Sequence, residues 1–218
     1  MFHILTGVLD PHTLAALQEA VAALPFEDGR KTAGALAAAV KSNAQAVPSP
    51  GRDAVLRKAE SALMAHPVFR SAARPKSFAR FLVSRYAGGQ AYGTHVDDAL
   101  MGGARTDLSF TIFLSDPATY AGGELIVQDR IEERGFKLNA GDALLYPSDT
   151  LHRVAPVTAG ARFAVVGWVT SHIRDARQRE ILFDLDQAFA TEQARGGDRA
   201  QLDRLACTRS NLLRMWAD

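Results

Sequence analysis

The sequence predicts an α+β protein in which helices flank an antiparallel β-sandwich or barrel. Helical patterns occupy both ends of the chain, whereas residues 77–172 hold short β-branched and aromatic segments separated by glycine, proline and asparagine turns. At 218 residues, the chain is long enough for one domain with a buried core. We therefore expect an N-terminal helical segment at 1–76, a β domain at 77–172 and a C-terminal helical segment at 173–218.

Three helices are predicted before the β domain. Leucine and alanine recur at helical spacing from Thr13 to Leu24, and an alanine-rich patch runs from Ala33 to Lys41. Asn43–Gly51 contains two prolines and is predicted to be a loop. Arg52–Ala65 is predicted as the third helix, which ends before Pro67 because the residue preceding a proline disfavours helical backbone.

Seven short strands are predicted in the β domain. Turn sequences such as Asp116-Pro117 and Gly122-Gly123 separate them, and frequent turns between short strands favour an antiparallel architecture. The predicted strands are Phe78–Tyr86, Leu108–Leu114, Glu124–Gln128, Gly135–Leu138, Asp142–Tyr146, Leu151–Val154 and Arg162–Val169.

Two charged helices are predicted after the β domain, at Asp175–Ala190 and Arg199–Trp216. Together they carry more apolar side chains than two helices bury against each other. We therefore expect them to pack on the β domain or on a second subunit, and we favour a homodimer. The apolar residues are Leu182, Phe183, Leu185, Phe189, Leu202, Leu205, Leu212, Leu213 and Trp216.

Composition argues against several classes of partner. The chain has 25 Lys and Arg against 24 Asp and Glu, a net charge of +1, so nucleic acid and anionic membranes are not expected partners. No apolar stretch approaches the roughly 18 residues of a membrane span, and the first residues lack the basic region of a secretory signal. The single cysteine, Cys207, excludes an intrachain disulfide. These features predict a cytoplasmic protein.

His95, Asp97 and His152 are the candidate metal ligands. Residues i and i+2 of a strand point to the same face, so His95 and Asp97 can reach one metal while Val96 points into the core. Asp98 is the competing carboxylate, but its spacing from His95 points it away. Two imidazoles and one carboxylate on one face of an octahedral metal leave the other positions open, as in non-haem Fe(II) oxygenases.

Arg162 is the candidate anion-binding residue. Its guanidinium group is always charged and can hold a carboxylate through two parallel hydrogen bonds. A tight turn over Thr158–Gly160 would make the strand of Arg162 an antiparallel neighbour of the strand of His152, with the two side chains side by side. A metal with open positions beside a carboxylate-binding arginine suggests a 2-oxo acid that chelates iron.

Other conspicuous residues have simpler interpretations. We expect Trp168 in the core. Tyr92 either lines the mouth of the substrate site or packs in a turn, and Arg105 and Asp107 either meet the substrate or are solvated loop charges, which is the simpler interpretation. The Met101–Gly103 segment is flexible by composition and is a candidate lid.

Several segments resemble the prolyl and lysyl hydroxylase-type 2-oxoglutarate dioxygenases. Residues 85–97, with the sequence RYAGGQAYGTHVD, resemble the iron-binding region of that family. The later strands of the family resemble residues 107–117, 120–125 and 146–162. More narrowly, the chain resembles the bacterial PKHD-type hydroxylases over essentially its whole length, including residues 28–34 and 211–216.

The resemblance implies a double-stranded β-helix, or jelly roll, with flanking helices. By position, His95, Asp97 and His152 would bind Fe(II), and Arg162 would pair with the distal carboxylate of 2-oxoglutarate. Tyr86 either reaches the same co-substrate or packs as a core aromatic residue.

The implied activity is hydroxylation of a small molecule or a peptide with O2, with release of succinate and CO2. L-ascorbate is the expected reductant. The alternative is a non-catalytic, cupin-like sensor that binds 2-oxoglutarate or iron without turnover.

Overall fold

Two antiparallel β-sheets packed face to face, with helices at both ends of the chain, form the fold. The computed structural model describes residues 2–32, 34, 38–129 and 131–218. Five α-helices lie in this part of the chain: α1 (Pro11–Ala22), α2 (Pro50–Ala65), α3 (Pro67–Ala73), α4 (Ala176–Ala194) and α5 (Arg199–Trp216). None of them combines the length and apolar character that a membrane span requires.

Seven strands, numbered with the others in chain order, form the larger sheet. They are β1 (His3–Leu5), β2 (Phe26–Asp28), β4 (Ala44–Ala46), β5 (Pro75–Ala87), β9 (Leu108–Phe113), β13 (Ala143–Pro147) and β16 (Ala161–Ser171). Their spatial order is β1-β13-β9-β16-β5-β4-β2, so β16 lies in the middle of the sheet, between β9 and β5.

Five strands form the smaller sheet, in the order β12-β11-β14-β6-β3. They are β3 (Lys41–Ser42), β6 (Ala91–His95), β11 (Leu125–Gln128), β12 (Glu133–Phe136) and β14 (His152–Val154). Two short hairpins complete the strands: β7 (Leu100–Met101) pairs with β8 (Ala104–Arg105), and β10 (Ala121–Gly122) pairs with β15 (Val157–Ala159). Each of the seven predicted strands overlaps an observed one.

The N-terminal helices differ from the prediction at their ends. Helix α1 begins two residues earlier than predicted. The cause is Asp10, whose carboxylate accepts the backbone N–H groups of His12 and Thr13 and so caps the helix. Four residues of the predicted helix Ala33–Lys41 lie outside the described residues, and its last residue lies in strand β3. The predicted loop at Asn43–Gly51 is partly wrong, because it contains strand β4.

Helix α2 ends before Pro67, as predicted, and α3 begins there without an intervening loop. His66 is the boundary residue of both helices: its backbone N–H bonds back to α2, and its imidazole accepts the N–H of Phe69 in α3. The proline lacks an N–H group, which the first turn of a helix does not need. A short helix of seven residues has too few periodic positions for the sequence to reveal it.

The predicted pairing of the strands of His152 and Arg162 is wrong. Strand β14 pairs with β11 and β6 in the smaller sheet, whereas β16 pairs with β5 and β9 in the larger sheet. The intervening residues form β15 and then turn at Gly160, whose positive φ of 69° suits glycine. The chain therefore crosses from one sheet to the other between the two residues.

Two apolar clusters hold the layers together. The larger cluster fills the space between the outer face of the larger sheet and helices α1 to α3. Phe69, Phe78, Phe81 and Phe110 form its aromatic centre, with ring centroids 4.8 to 6.3 Å apart. The smaller cluster lies between the two sheets and includes Tyr86, Phe113, Leu125 and Val127, among others. The two sheets therefore enclose their own core at one end of the sandwich.

Helix α4 packs on the larger core cluster, as its apolar residues suggested, and α5 packs on α4. Leu182 of α4 is fully buried, and Phe183 packs on the larger core cluster. Asp186 of α4 forms an ion pair with Arg74 and accepts the hydroxyl of Ser71. Helix α5 packs on α4 and buries none of its residues fully. The homodimer stays a prediction.

We predict that Phe69→Ala destabilises the protein strongly. The side chain is 0% exposed and packs against the rings of Phe78 and Phe110 in the larger core cluster, so its removal leaves a cavity. The expected loss in free energy of unfolding is about 3–5 kcal/mol. Urea denaturation measures the change, and Met215→Ala is the control because Met215 is 72% exposed. A loss below about 1 kcal/mol for Phe69→Ala would contradict the packing described for α3.

Candidate metal centre and co-substrate pocket

His95, Asp97 and His152 meet in the space between the two sheets. The Nε2 atom of His95 lies 3.9 Å from Asp97 Oδ1, and the Nε2 atom of His152 lies 3.8 Å from Asp97 Oδ2. The potential ligand atoms of the three residues all lie within 4.8 Å of one another. The two histidines are cross-strand partners on β6 and β14, with ring centroids 4.3 Å apart.

The backbone sets the orientation of both imidazoles in the same way. Nδ1 of His95 lies 2.9 Å from the carbonyl oxygen of Gly93, and Nδ1 of His152 lies 2.9 Å from that of Thr150. Because a carbonyl only accepts, Nδ1 carries the proton in each ring, and the lone pair of Nε2 points toward Asp97. A metal-binding histidine commonly has its second nitrogen fixed in this way. The donor set and its geometry therefore fit a divalent transition metal.

Asp97 is held by side chains rather than by a strand. Strand β6 ends at His95, so Asp97 lies on the following segment, and the hydroxyl of Ser109 on β9 donates to its Oδ2 at 2.6 Å. Ser109 is in turn 2.9 Å from the hydroxyl of Ser148. The prediction that Val96 points into the core is wrong: it is 48% exposed, because the strand alternation stops before it. Asp98 is also exposed, as expected for the competing carboxylate that points away.

Burial makes His95 a weak base. Removal from water disfavours the charged ring, and repulsion from His152 adds to this effect, so the pKa of His95 falls to about 4. The ring of Tyr92 stacks on the ring of His95, with the two centroids 3.6 Å apart. Tyr92 lies in β6 and lines the cavity, which agrees with the first of its two predicted positions and not with packing in a turn. A neutral His95 at physiological pH is the form that binds a metal.

Arg162 is buried without a carboxylate partner in the described residues. Its side chain is 1% exposed, and its Nε–H finds no acceptor there. The guanidinium carbon lies 5.1 Å from the ring centroid of Phe113 and 5.5 Å from that of Tyr86. Aromatic faces stabilise a cation only in part, and an isolated buried charge is costly. Arg162 is therefore suited to an anionic ligand that enters the cavity.

Tyr86 and Arg162 are cross-strand neighbours on β5 and β16. Tyr86 is buried, and its burial raises the pKa of the phenol to about 12, so the hydroxyl stays a hydrogen-bond donor. Tyr120 has a buried hydroxyl without a partner among the described residues. At Gly123, a Cβ atom would lie only 3.1 Å from the Cδ of Arg162, so the glycine makes room for the arginine. Tyr86 is therefore part of the pocket around Arg162.

One cavity between the sheets contains the metal-site residues and the arginine. It encloses about 830 Å³ including its open mouth. Its lining includes all five residues singled out from the sequence: Tyr86, His95, Asp97, His152 and Arg162. Arg162 therefore shares a cavity with the metal-site residues although it does not lie on a strand adjacent to His152.

Several neighbouring residues have roles that the sequence did not suggest. Asp107 is buried, pairs with Arg105 at 2.8 Å and accepts the N–H of Ser171, so these two are structural rather than solvated loop charges. Trp168 is only half-buried and lines the cavity, which corrects the expectation that it lies in the core. Met101, the last residue of β7, also lines the cavity and is followed by the Gly102-Gly103 turn to β8. The role of the Met101–Gly103 segment as a lid stays a prediction.

The sequence suggested no role for Ser109, Ser148 or Tyr120. Serines occur throughout the chain, and the bond from Ser109 to Asp97 depends on a contact between strand β9 and the segment that follows β6. Tyr120 comes just before the Gly122-Gly123 turn. That turn is only a weak indication that a residue of this segment lies beside Arg162.

Sequence comparisons now identify the family. The model of the 2OG-Fe(II) oxygenase superfamily matches residues 81–170, and that of the PKHD-type hydroxylase C-terminal domain matches residues 175–218. A PKHD-type hydroxylase from Maricaulis maris is 55% identical over 193 residues, which is 88% of each chain. A PKHD-type hydroxylase from Picosynechococcus sp. is 44% identical over 219 residues and covers 100% of both chains.

The chain belongs to the PKHD-type hydroxylases. It is therefore a 2-oxoglutarate-dependent dioxygenase, and Fe(II) and 2-oxoglutarate are the cofactor and co-substrate that the family implies. The relatives give no support to the alternative of a non-catalytic sensor.

Solved structures share the jelly-roll fold. A prolyl hydroxylase from Trichoplax adhaerens, in complex with a peptide of hypoxia inducible factor, aligns with a TM-score of 0.60 at 15% identity, over 83% of this chain and 86% of that one. HygX from Streptomyces hygroscopicus, with nickel and 2-oxoglutarate bound, aligns with a TM-score of 0.56 at 14% identity, over 79% and 84%. The predicted double-stranded β-helix with flanking helices is thus confirmed.

We predict that the metal-free protein loses stability in acid through His95. The unfolded chain binds a proton on this ring below the ordinary pKa of 6.5, whereas the folded protein does so only near 4. Between these values the unfolded state binds more protons, so the free energy of unfolding falls as the pH falls through this window. The His95 contribution is up to ~3 kcal/mol.

Urea denaturation in the presence of a chelator, at pH 7 and pH 4, measures this loss. His95→Gln should show a smaller decline than the parent protein, whereas the variant His12→Gln should decline as the parent does because His12 is exposed. An equal decline in the parent protein and in His95→Gln would contradict the prediction.

Proposed function

We propose that His95, Asp97 and His152 hold Fe(II), and that Arg162 binds the distal carboxylate of 2-oxoglutarate. The observation that carries this proposal is the buried arginine without a carboxylate partner among the described residues, in the same cavity as the three converging ligands. In each turnover, one C–H bond of the substrate becomes C–OH, while one 2-oxoglutarate and one O2 become succinate and CO2. One oxygen atom enters succinate and the other enters the product.

The side chains of this chain hold the reactants in place. Bound iron supplies the redox chemistry of the reaction. The two histidines present Nε2 lone pairs because their Nδ1–H groups bond to backbone carbonyls. Ser109 fixes the rotation of the Asp97 carboxylate, and a facial set of three protein ligands leaves three positions for small molecules. The protein therefore defines where the co-substrate and O2 bind.

Arg162 supports 2-oxoglutarate in two ways. A planar guanidinium group can donate two parallel hydrogen bonds to one carboxylate, which sets the direction of the whole molecule. The pair also neutralises a buried charge, so binding gains more here than at the surface. Tyr86 lies beside Arg162 and keeps its proton, so we propose its hydroxyl as a further donor to the same carboxylate.

The function is tested by measuring succinate release from 2-oxoglutarate in protein loaded anaerobically with Fe(II) and then exposed to O2. A panel of peptides with prolyl or lysyl side chains and a panel of small metabolites identify the type of substrate. The same assay with and without L-ascorbate tests the expected reductant. Failure to form succinate above the metal-free control with every member of both panels would overturn the proposed activity.

We predict that Asp97→Ala abolishes both metal binding and succinate formation. Loss of one of three ligands leaves two histidines, which do not retain a divalent metal at micromolar concentration in competition with buffer. Mn(II) binding followed by electron paramagnetic resonance measures the effect without any dependence on turnover. Asp98→Ala is the matched control and should bind about one Mn(II) per chain. Unchanged binding in Asp97→Ala would remove the proposed metal site.

We predict that Arg162→Ala weakens 2-oxoglutarate binding about 10- to 100-fold while metal binding stays normal. A charge-assisted pair is worth roughly 1.5–3 kcal/mol, which sets this range. Arg162→Lys should recover only part of the affinity, because an ammonium group lacks the planar fork. The 2-oxoglutarate concentration dependence of succinate formation gives the affinity. Arg153→Ala is the control, since Arg153 pairs with Glu133 instead. Normal affinity in Arg162→Ala would refute the assignment.

A further inference from the structure

Three polar side chains form one row at the Arg162 end of the cavity. Arg162 on β16 pairs in register with Tyr86 on β5. Ala44 on β4 pairs with Arg85. Because these strands are antiparallel, the residue before Ala44, Asn43, lies beside Tyr86 on the side away from Arg162. All three members of the row line the cavity, so Asn43 extends the pair to which we assign the distal carboxylate of 2-oxoglutarate.

Asn43 is fixed at the point where the chain crosses from one sheet to the other. It lies between β3 of the smaller sheet and β4 of the larger sheet, and it is only 3% exposed. Its backbone carbonyl accepts the N–H of Gly29 at 2.9 Å. Because the backbone is held on both sides and the side chain is buried, the amide has little freedom to leave the wall of the cavity.

The two ends of the Asn43 amide have different surroundings. Burial raises the pKa of the Tyr86 phenol to about 12, while Arg162 and a hydrogen bond from Asn43 both act to lower it. A hydrogen bond that lowers the pKa of a phenol is donated to its oxygen, so the NH2 group of Asn43 faces Tyr86. The Oδ1 atom of Asn43 is buried without a donor among the described residues. This orientation leaves the phenol proton available to a ligand, whereas the reversed amide would accept that proton itself.

Gly29 provides the space for this amide. The glycine is buried directly after β2, and a Cβ atom there would lie 2.0 Å from Oδ1 and 3.0 Å from Cγ of Asn43. Atoms in a packed interior do not approach so closely, so an alanine at this position would force the amide to move. Gly29 belongs to residues 28–34, one of the segments that resemble the PKHD-type hydroxylases. That segment therefore contacts the co-substrate end of the cavity through Asn43.

We propose that Asn43 is a positioning residue for 2-oxoglutarate that acts through Tyr86. Asn43 donates to the phenol oxygen, and the phenol O–H donates to the distal carboxylate that Arg162 binds. A hydroxyl that accepts one hydrogen bond donates the next one more strongly, because consecutive bonds polarise each other. The inference rests on the proposed function and adds the residue that directs the Tyr86 proton.

Calorimetric titration of 2-oxoglutarate into protein loaded with Mn(II) tests this inference without turnover. Asn43→Leu keeps a similar volume and removes the donor, whereas Gly29→Ala displaces the same amide without removing a polar group. Each change should weaken 2-oxoglutarate binding about 3- to 10-fold, the range expected for one neutral hydrogen bond. The matched controls should bind as the parent protein does. They are Asn211→Leu, exposed on α5, and Gly135→Ala, where the nearest atom would lie 3.8 Å from the new Cβ.

A double-mutant cycle distinguishes an effect through Tyr86 from a purely structural one. Tyr86→Phe removes the hydroxyl and should weaken 2-oxoglutarate binding by itself, by about 10-fold. In the Tyr86→Phe background, Asn43→Leu and Gly29→Ala should each add less than about a 2-fold effect, because no hydroxyl remains to be oriented. Full multiplication of the single effects would overturn the proposal, since Asn43 would then act independently of Tyr86.

Nuclear magnetic resonance reports on the same hydrogen bond without any ligand. The chain has four tyrosines, so the Cζ signals of isotope-labelled tyrosine are few, and Tyr86→Phe identifies the one from Tyr86. In metal-free protein this signal should move in Asn43→Leu and in Gly29→Ala, and it should stay in place in both controls. A signal that stays in place in both variants would contradict the bond to Asn43. Thermal unfolding is measured on every variant, and only folded proteins enter the comparison.

The outcomes separate this inference from the proposed function. Absence of 2-oxoglutarate binding in the Mn(II)-loaded parent protein, or normal affinity in Arg162→Ala, would overturn both. Normal binding in the parent protein together with parental affinity in Asn43→Leu and Gly29→Ala would overturn only the role of Asn43. Parental affinity in Tyr86→Phe would also overturn that role, and it would leave the assignments of the metal ligands and Arg162 in place.

Discussion

Burial of the Arg162 guanidinium group constrains the whole inner part of the sandwich. Phe113 and Tyr86 present aromatic faces to it, but none of the described carboxylates forms an ion pair with it. Gly123 leaves the space that its side chain occupies. A fold that keeps a charge buried in this manner is most stable when a small anion joins it, since pairing removes the cost of the isolated charge. In the proposed function, stability and co-substrate binding are thus linked through one side chain.

The three proposed metal ligands, in contrast, are each oriented by hydrogen bonds from the protein itself. Backbone carbonyls fix the two imidazoles, and a pair of serines fixes the carboxylate. These hydrogen bonds come from both sheets, so the distance between the sheets controls the ligand geometry. The smaller core cluster sets that distance through packed rings and aliphatic side chains. Substitutions in this cluster would consequently alter the metal site without touching a ligand.

Much of this organisation could be predicted because it is encoded locally. Alternation and turn residues revealed the strands, and the two-residue spacing of His95 and Asp97 placed both near one metal. The pairing of β14 with β6, and of β16 with β5, could not be deduced, because strands far apart in sequence choose partners through the completed core. The assumption that consecutive strands pair led to the wrong neighbour for Arg162. Ser109 and Lys41 were missed for the same reason, because each reaches the site only through partners that lie far away in sequence.

His66 joins two helices directly, and this has a consequence for how the chain tolerates change. With no loop between α2 and α3, the crossing of the two helices depends on the backbone angles of a single residue. An inserted residue in the first turn of α3 would rotate everything after it by about 100° around the helix axis. Phe69 would leave the aromatic centre of the larger core cluster, and β5 would begin in a new direction. Length variation in this protein should therefore be confined to other connections, such as the segment between α4 and α5.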